Sequence, residues 1–482
     1  MEGRGFFVVA DGQNYSALLG RAGPLLTEVV QLNPRRQPFE VAVEAYRGGR
    51  SDDCVALLHG HGDLASKFLR ARSYLRSGRI ELGLECLAPI DDAALPTHRA
   101  RAELLILRGA LQTRLRDFDT ARESLDLGRV YAFGSASAAV EAEFHYYDAM
   151  WFFGVSDLDE ADRAAQDALM VAPPSFTTIE NDYFVPAANS RARALNIRGL
   201  VAAARERYGA QLHYVRTAVR EIQTAETMDQ WIFASLLMNL SFQVRDFDLV
   251  DDARTLRENL SRMQWPGELA MQQFYIYQSL AWSNALRGDH LSAFRDLRLS
   301  KKHAPTPVFS IWASVDRAFL GRELGEMTFA REELEHSADV AAQIAWDTVL
   351  GDERIALAFL AQELAAFEPA QARTLMERYR RIKSKLAPNL LNALDRRVRA
   401  YELRAEATVM RANGETAAAM RRFCEAFEIW DGLGYHWLAS TAAIELAELS
   451  DVTSRFREYG RREAALRPNS WLARRVAVLE RD

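Results

Sequence analysis

Three stretches of this chain share one pattern of small, polar and large apolar positions: "LRGALQTRLRDFDTARESL" (107–125), "LAWSNALRGDHLSAFRDL" (280–297) and "EATVMRANGETAAAMRRF" (406–423). Each has a small residue, a polar turn, a second small residue twelve positions after the first, and a large apolar residue four positions later. The trios are Gly109/Ala121/Leu125, Ala281/Ala293/Leu297 and Ala407/Ala419/Phe423. Ala149/Ala161, Ala318/Ala330 and Ala42/Cys54 continue the series, with Gly199/Gln211 as a weaker member. A glycine seven residues after the first small position recurs as Gly49, Gly78, Gly288, Gly325 and Gly414.

Two antiparallel helices joined by a tight turn approach closely where they cross, so each carries a small residue there. The glycine allows the turn a positive φ, and proline at the end of a second helix, as at Pro173 and Pro305, stops it. No run of alternating β-branched residues is bounded by hairpin turns. The pattern predicts an all-α, right-handed superhelical solenoid of about ten helix pairs. It divides as an N-terminal segment and capping helix at 1–37, the array at 38–450 with an insertion at 172–190, and C-terminal capping helices at 451–482.

These spacings resemble the tetratricopeptide repeat, with its small residue on each helix and its closing proline. The second-helix positions are 54, 83, 121, 161, 211, 253, 293, 330, 372 and 419, a mean spacing close to 41. That exceeds the roughly 34 of the family. Longer pairs of this kind are similar to the sensor arrays of large LuxR-type bacterial regulators such as the maltose-responsive activator. The closing stretches "CEAFEIWDGLGYHWLASTAAIELAEL" and "NSWLARRVAVLE" resemble the last repeats of that group. The helix-turn-helix that follows there has no room in the twelve residues after Ser470, and no G-x-x-x-x-G-K-[ST] occurs. The expectation is an array without either effector.

Composition narrows the class. With 482 residues, 49% hydrophobic and 26% charged, the chain reads as folded soluble protein, too long for one simple core. A net charge of −6 gives no electrostatic footprint for nucleic acid, so direct DNA binding by this chain is not expected. Only five lysines occur, against many arginines and alanines, which suggests a GC-rich bacterial genome. The apolar run in "MEGRGFFVVADGQN" is too short for a secretory segment, no stretch suits a membrane span, and three scattered cysteines fit a reducing compartment. The expected location is the cytoplasm.

Candidate chemistry is thin. Gly60-x-Gly62-x-x-Ala65 follows an apolar run but lacks the βαβ context of a dinucleotide site, so these glycines are expected to end one helix and start the next. His59 and His61 have no further ligand at metal spacing and are expected in a loop. Cys54, Cys86 and Cys424 fall at or beside packing positions. Asp246, Asp248, Asp251 and Asp252 are expected in an inter-helix turn. With no G-x-S-x-G either, the expectation is no enzyme, no cofactor and no metal.

Binding is what remains. Counting from the small residue of each first helix, the inward positions give Tyr146, Met150, Arg193, Asn196, Tyr275, Gln278, Trp282, Trp312, Phe319, Tyr401 and Arg404. Rings supply area, amides satisfy a backbone and arginine takes carboxylates. Aromatics at helical spacing are nevertheless more often core than groove. The expected ligand is a protein or peptide partner or a small-molecule effector, with homo-oligomerisation a further possibility. The insertion carries Phe176, Tyr183 and Phe184 and is expected to fold over the inner side or meet a partner. The closing stretch from Arg455 to Asp482 holds eight arginines. It is expected to cap the array, burying Trp471, Leu472, Val476 and Leu479.

Overall fold

The computed structural model describes residues 38–172, 189–225, 227–349, 351–384, 396–449 and 454–481. The segment 1–37 and the insertion residues Phe176, Tyr183 and Phe184 lie outside them. Among the described residues the chain is all-α, with no strand. Its helices are α1 (Pro38–Arg47), α2 (Ser51–Leu57), α3 (Leu64–Arg76), α4 (Ile80–Leu87), α5 (His98–Arg114) and α6 (Phe118–Gly134). Then come α7 (Ala138–Gly154), α8 (Leu158–Val171), α9 (Ser190–Ala204), α10 (Tyr208–Gln223), α11 (Gln230–Phe247) and α12 (Val250–Arg262). The series continues with α13 (Ala270–Leu286), α14 (His290–Lys302), α15 (Pro307–Glu323), α16 (Met327–Gln343), α17 (Ile355–Leu364) and α18 (Pro369–Ser384). It ends with α19 (Arg396–Ala412), α20 (Thr416–Gly432), α21 (His436–Leu449), α22 (Ser454–Leu466) and α23 (Trp471–Leu479).

The helices pack as successive pairs, α1 on α2 through α9 on α10 and α13 on α14 through α21 on α22. All ten second-helix positions read from the sequence, Cys54 to Ala419, fall on even-numbered helices and are buried. The reason for the small residues is steric. A Cβ on Gly109 would stand 2.7 Å from the Leu125 side chain, so Leu125 fills the crossing of α5 and α6 itself. Gly83 meets Leu111 at the same separation.

The turn glycines Gly49, Gly78, Gly288, Gly325 and Gly414 all have positive φ, between 71° and 87°. The same left-handed position is kept where the sequence offers no glycine: Arg116, Ser156, Glu206 and Asp248 have φ of 62°, 63°, 57° and 54°. Turn geometry is thus set by the helix pair, and glycine only relieves it.

The chain divides into two compact units, with the division inside α11. The described part of the first comprises residues 38–237 with Gln264–Leu269; that of the second comprises Met238–Met263 and residues 270–481. In the first unit, Arg76 of α3 forms an ion pair with Asp229, just before α11. Glu268 accepts from the backbone N–H groups of Ser51 and Asp52 at 2.8 and 3.0 Å, satisfying the start of α2 across 217 and 216 residues.

The second unit also folds back on its own first helix. Asp246 of α11 pairs with Arg397 of α19 at 2.7 Å. The Trp437 Nε1–H of α21 donates to the Arg245 carbonyl at 2.8 Å, and Arg467 reaches Asp248 at 3.0 Å. Asp246 therefore does not sit in a turn as expected: it is inside α11 and fully buried, because Arg245 and Arg397 both neutralise it. Asp248 is in the turn, and Asp251 and Asp252 open α12.

Among the described residues no helix is long and apolar enough to cross a membrane. In the closing stretch Trp471, Leu472 and Val476 are buried, while Leu479 is half-buried.

Candidate functional site

The residues assigned to the inner face separate into two sets, one in each unit. In the first unit, the α7 and α9 residues form a polar core. Arg193 lies over the Tyr146 ring, 3.7 Å from its centroid, and stands 3.8 Å from the Glu143 carboxylate. Glu143 in turn pairs with Arg72 of α3, which also donates to Glu103 of α5 at 2.6 and 2.9 Å. Met150 packs, half-buried, against the apolar cluster of Ala149, Ala161 and Val201, and Asn196 is half-buried on α9.

These contacts make a closed ion network around Arg72, where three odd-numbered helices meet. Burial pushes the Glu103 carboxyl well above the usual carboxylate range, Arg72 pulls it back, and Glu143 beside it pushes it up again. One guanidinium shared by two carboxylates cannot satisfy both fully.

In the second unit the assigned residues converge. Gln278 and Trp282 of α13, Trp312 of α15, and Tyr401 and Arg404 of α19 line one cavity of about 80 Å³. Phe319, Phe359, Trp437 and Trp471 complete its aromatic wall, and Arg245, Asp316 and Glu363 are its other charged members. Tyr275 does not reach this wall. It is buried behind Trp312, edge-on at 6.2 Å between centroids, and also meets Phe242 at 5.0 Å.

Two chains of ring contacts hold the wall. Trp437 stacks on Trp282 at 5.6 Å, Trp282 meets Phe319 at 5.3 Å, and Phe319 meets Trp471 at 5.0 Å. On the other side Trp312, Phe359 and Tyr401 follow one another at 5.7 and 5.6 Å. Such edge-to-face and tilted contacts fix each ring by its neighbours, so the wall is preorganised.

The charged groups of the wall are mostly paired. Arg245 donates to Asp246 at 2.8 Å, Glu363 accepts from Arg322 at 3.0 Å, and Arg404 stands 3.5 Å from Glu445. Asp316 differs. It accepts from Gln278 Nε2 at 2.6 Å, but among the described residues no basic nitrogen comes within ion-pairing distance of it. Burial pushes its carboxyl up to about 7, against a partial pull back from the Gln278 hydrogen bond, the more distant Arg245 and a hydrogen bond from Trp282.

Glu445 shows the contrast. Burial acts on it too, but Arg475, Arg411 and Arg404 outweigh that and hold it far below the ordinary range.

Asp316 and Phe359 fall between the positions that the repeat register singles out, and Trp437 and Trp471 lie beyond its last trio. Trp471 was legible only as a core residue of the closing helix. The other candidates are placed as follows. His59 and His61 are exposed in the loop before α3, where Gly60 has φ +83°. Cys54 is buried and its thiol is pushed up to about 11; burial also raises Cys86 and Cys424. Thiols held in that form are poor nucleophiles.

No protein-family model matches the chain, and no curated protein sequence matches it. Among solved structures, the apo form of RapI is similar at 13% identity, over 87% of this chain and 98% of that one, with a TM-score of 0.42. A Rap protein complexed with competence and sporulation factor is similar at 11% identity, over 82% of this chain and 99% of that one, with a TM-score of 0.39. Yeast Tom70 follows at 13% identity, over 89% and 94%, with a TM-score of 0.29. The cavity, not these likenesses, carries the functional reading.

Proposed function

We propose that the chain is a non-catalytic binding module whose second unit receives its ligand in the inward-facing aromatic cavity. The observation that carries this is the convergence of Gln278, Trp282, Trp312, Tyr401 and Arg404, from three separate first helices, on one wall. Apolar walls with a few fixed polar groups are the common form of a ligand site. A cavity of about 80 Å³ suits a small effector, or a peptide that inserts one side chain, rather than a folded partner.

Native mass spectrometry of the protein isolated from its source cells tests the reading. A bound species should be retained by the parent chain and lost when Trp312→Ala and Tyr401→Ala are combined. Equal retention by both would move the site elsewhere.

A second reading keeps a LuxR-type regulator in view, with this array as the sensor and the DNA-binding part supplied by further sequence or another chain. The closing stretches from Cys424 and from Asn469 favour it by their resemblance. A reading frame continuing past Asp482 into a helix-turn-helix would support it, and a stop codon there with no DNA-binding partner chain would end it. A location in the cytoplasm accords with either reading.

A further inference from the structure

The cavity of the second unit holds, within an aromatic enclosure, a carboxylate without a counter-charge and an amide oxygen without a donor. Asp316 is a buried carboxylate that takes hydrogen bonds from the Gln278 amide and the Trp282 indole but has no ion-pair partner among the described residues. Gln278, only 1% exposed, lines the same wall. Its Nε2 is committed to Asp316, while its Oε1 has no hydrogen-bond partner. A buried acceptor left in this state costs about 1–3 kcal/mol, and a desolvated carboxylate costs more. A donor bearing positive charge would relieve both at once.

The surroundings favour a cation for a second reason. Trp282, Trp312, Tyr401 and Trp437 are on the wall, and the faces of such rings attract cations, most strongly where water is excluded. Size sets the limit. About 80 Å³ holds roughly five to eight waters, and so a molecule of about as many non-hydrogen atoms.

We propose, resting on the binding-module reading above, that this cavity takes a small primary ammonium compound, its –NH₃⁺ shared between the Asp316 carboxylate and Gln278 Oε1. A primary ammonium has three N–H donors and satisfies both acceptors; a quaternary ammonium satisfies neither and gains only the rings. The wall also carries two donors without partners, Trp471 Nε1 and Arg404 Nε, and both of these residues contact Phe319. They suit an acceptor on the same ligand, so a zwitterion of this size should bind more tightly than the plain amine.

Calorimetric titration of the full chain with n-butylammonium, β-alanine, tetramethylammonium and butyrate tests this. Two-dimensional NMR of the indole N–H groups, assigned by single Trp→Phe replacements, would locate any binding. The expected result is binding of n-butylammonium and tighter binding of β-alanine, with shifts at Trp282, Trp312, Trp437 or Trp471. Asp316→Asn should weaken both by about ten-fold or more, the size expected for losing a charge-assisted hydrogen bond. Gln278→Leu is a second variant, expected to weaken n-butylammonium while leaving the thermal melt cooperative.

Butyrate binding at these indoles without the amine would overturn the ammonium assignment and leave the cavity reading intact. So would amine binding that is unchanged in both variants. If no probe moves these indoles and the species found by native mass spectrometry also leaves them unmoved, the cavity reading fails with it.

Discussion

Asp246 and Arg397, 151 residues apart in the chain, form an ion pair at 2.7 Å in which both side chains are at most 1% exposed. The pair joins α11, the first helix of the second unit, to α19. With the Trp437–Arg245 and Arg467–Asp248 hydrogen bonds it makes the inner face of that unit a walled cavity instead of an open groove.

Removing one partner of such a pair leaves the other buried and uncompensated. Asp246→Ala should cost about 3–5 kcal/mol of stability in urea unfolding. Asp246→Leu combined with Arg397→Met should recover part of that loss, because it removes the stranded Arg397 charge while Arg245 still loses its carboxylate. A double variant as unstable as the single one would show that the pair is not the relevant contact.

Asp316 predicts a pH dependence of definite sign. Its folded-state pKa of about 7 lies above the unfolded value of about 3.9, so the group's stabilising contribution is complete below about pH 4. The contribution is lost as pH rises through about 7, when the carboxyl ionises in its buried site. Asp316→Asn should therefore be more stable than the parent above about pH 8, by a gain on the order of a few kcal/mol, and nearly equal to it below about pH 4. Urea melts at the two pH values decide this.

The crossing of α5 and α6 predicts a size limit. Gly109→Val places new atoms against Leu125 and should cost about 1–3 kcal/mol through overpacking. Combining it with Leu125→Ala should return part of the loss, which additive independent effects would not.

Arg116 occupies a left-handed turn position with φ 62°, and its side chain is exposed. Arg116→Gly should stabilise the chain by up to about 1 kcal/mol, since relief of backbone strain is partly offset by glycine's greater unfolded-state entropy. Arg116→Ala keeps the strain and should not stabilise. Thermal melts of the two variants separate these outcomes.

The repeat was legible because its cause is local. Small residues must stand where two helices cross, and a positive φ must stand at the turn, so Gly109, Ala293 and Gly414 announce the array within a few dozen residues. Six of the candidate inner-face residues, Phe319 among them, meet in one cavity for the same reason: the register fixes which side of each first helix faces inward. What the sequence did not disclose is nonlocal. Nothing near Asp246 marks it as the partner of Arg397, and the acidic cluster around it reads as a solvated turn. Trp437 and Trp471 enter the cavity because α21 and α23 fold back toward α11 and α13, which no spacing within those helices encodes. Asp316 looks like any helix-surface carboxylate until the surrounding rings are in place.

The most direct measurement is fluorine NMR of the chain carrying fluorotryptophan at all nine tryptophans, each signal assigned by replacement with phenylalanine. A small-molecule and peptide extract of the source cells would be added. Binding in the cavity predicts movement of Trp282, Trp312, Trp437 and Trp471, while Trp151, Trp231, Trp265 and Trp346 stay in place. Movement confined to Trp151 or Trp231 in the first unit, with the four cavity signals fixed, would contradict the account.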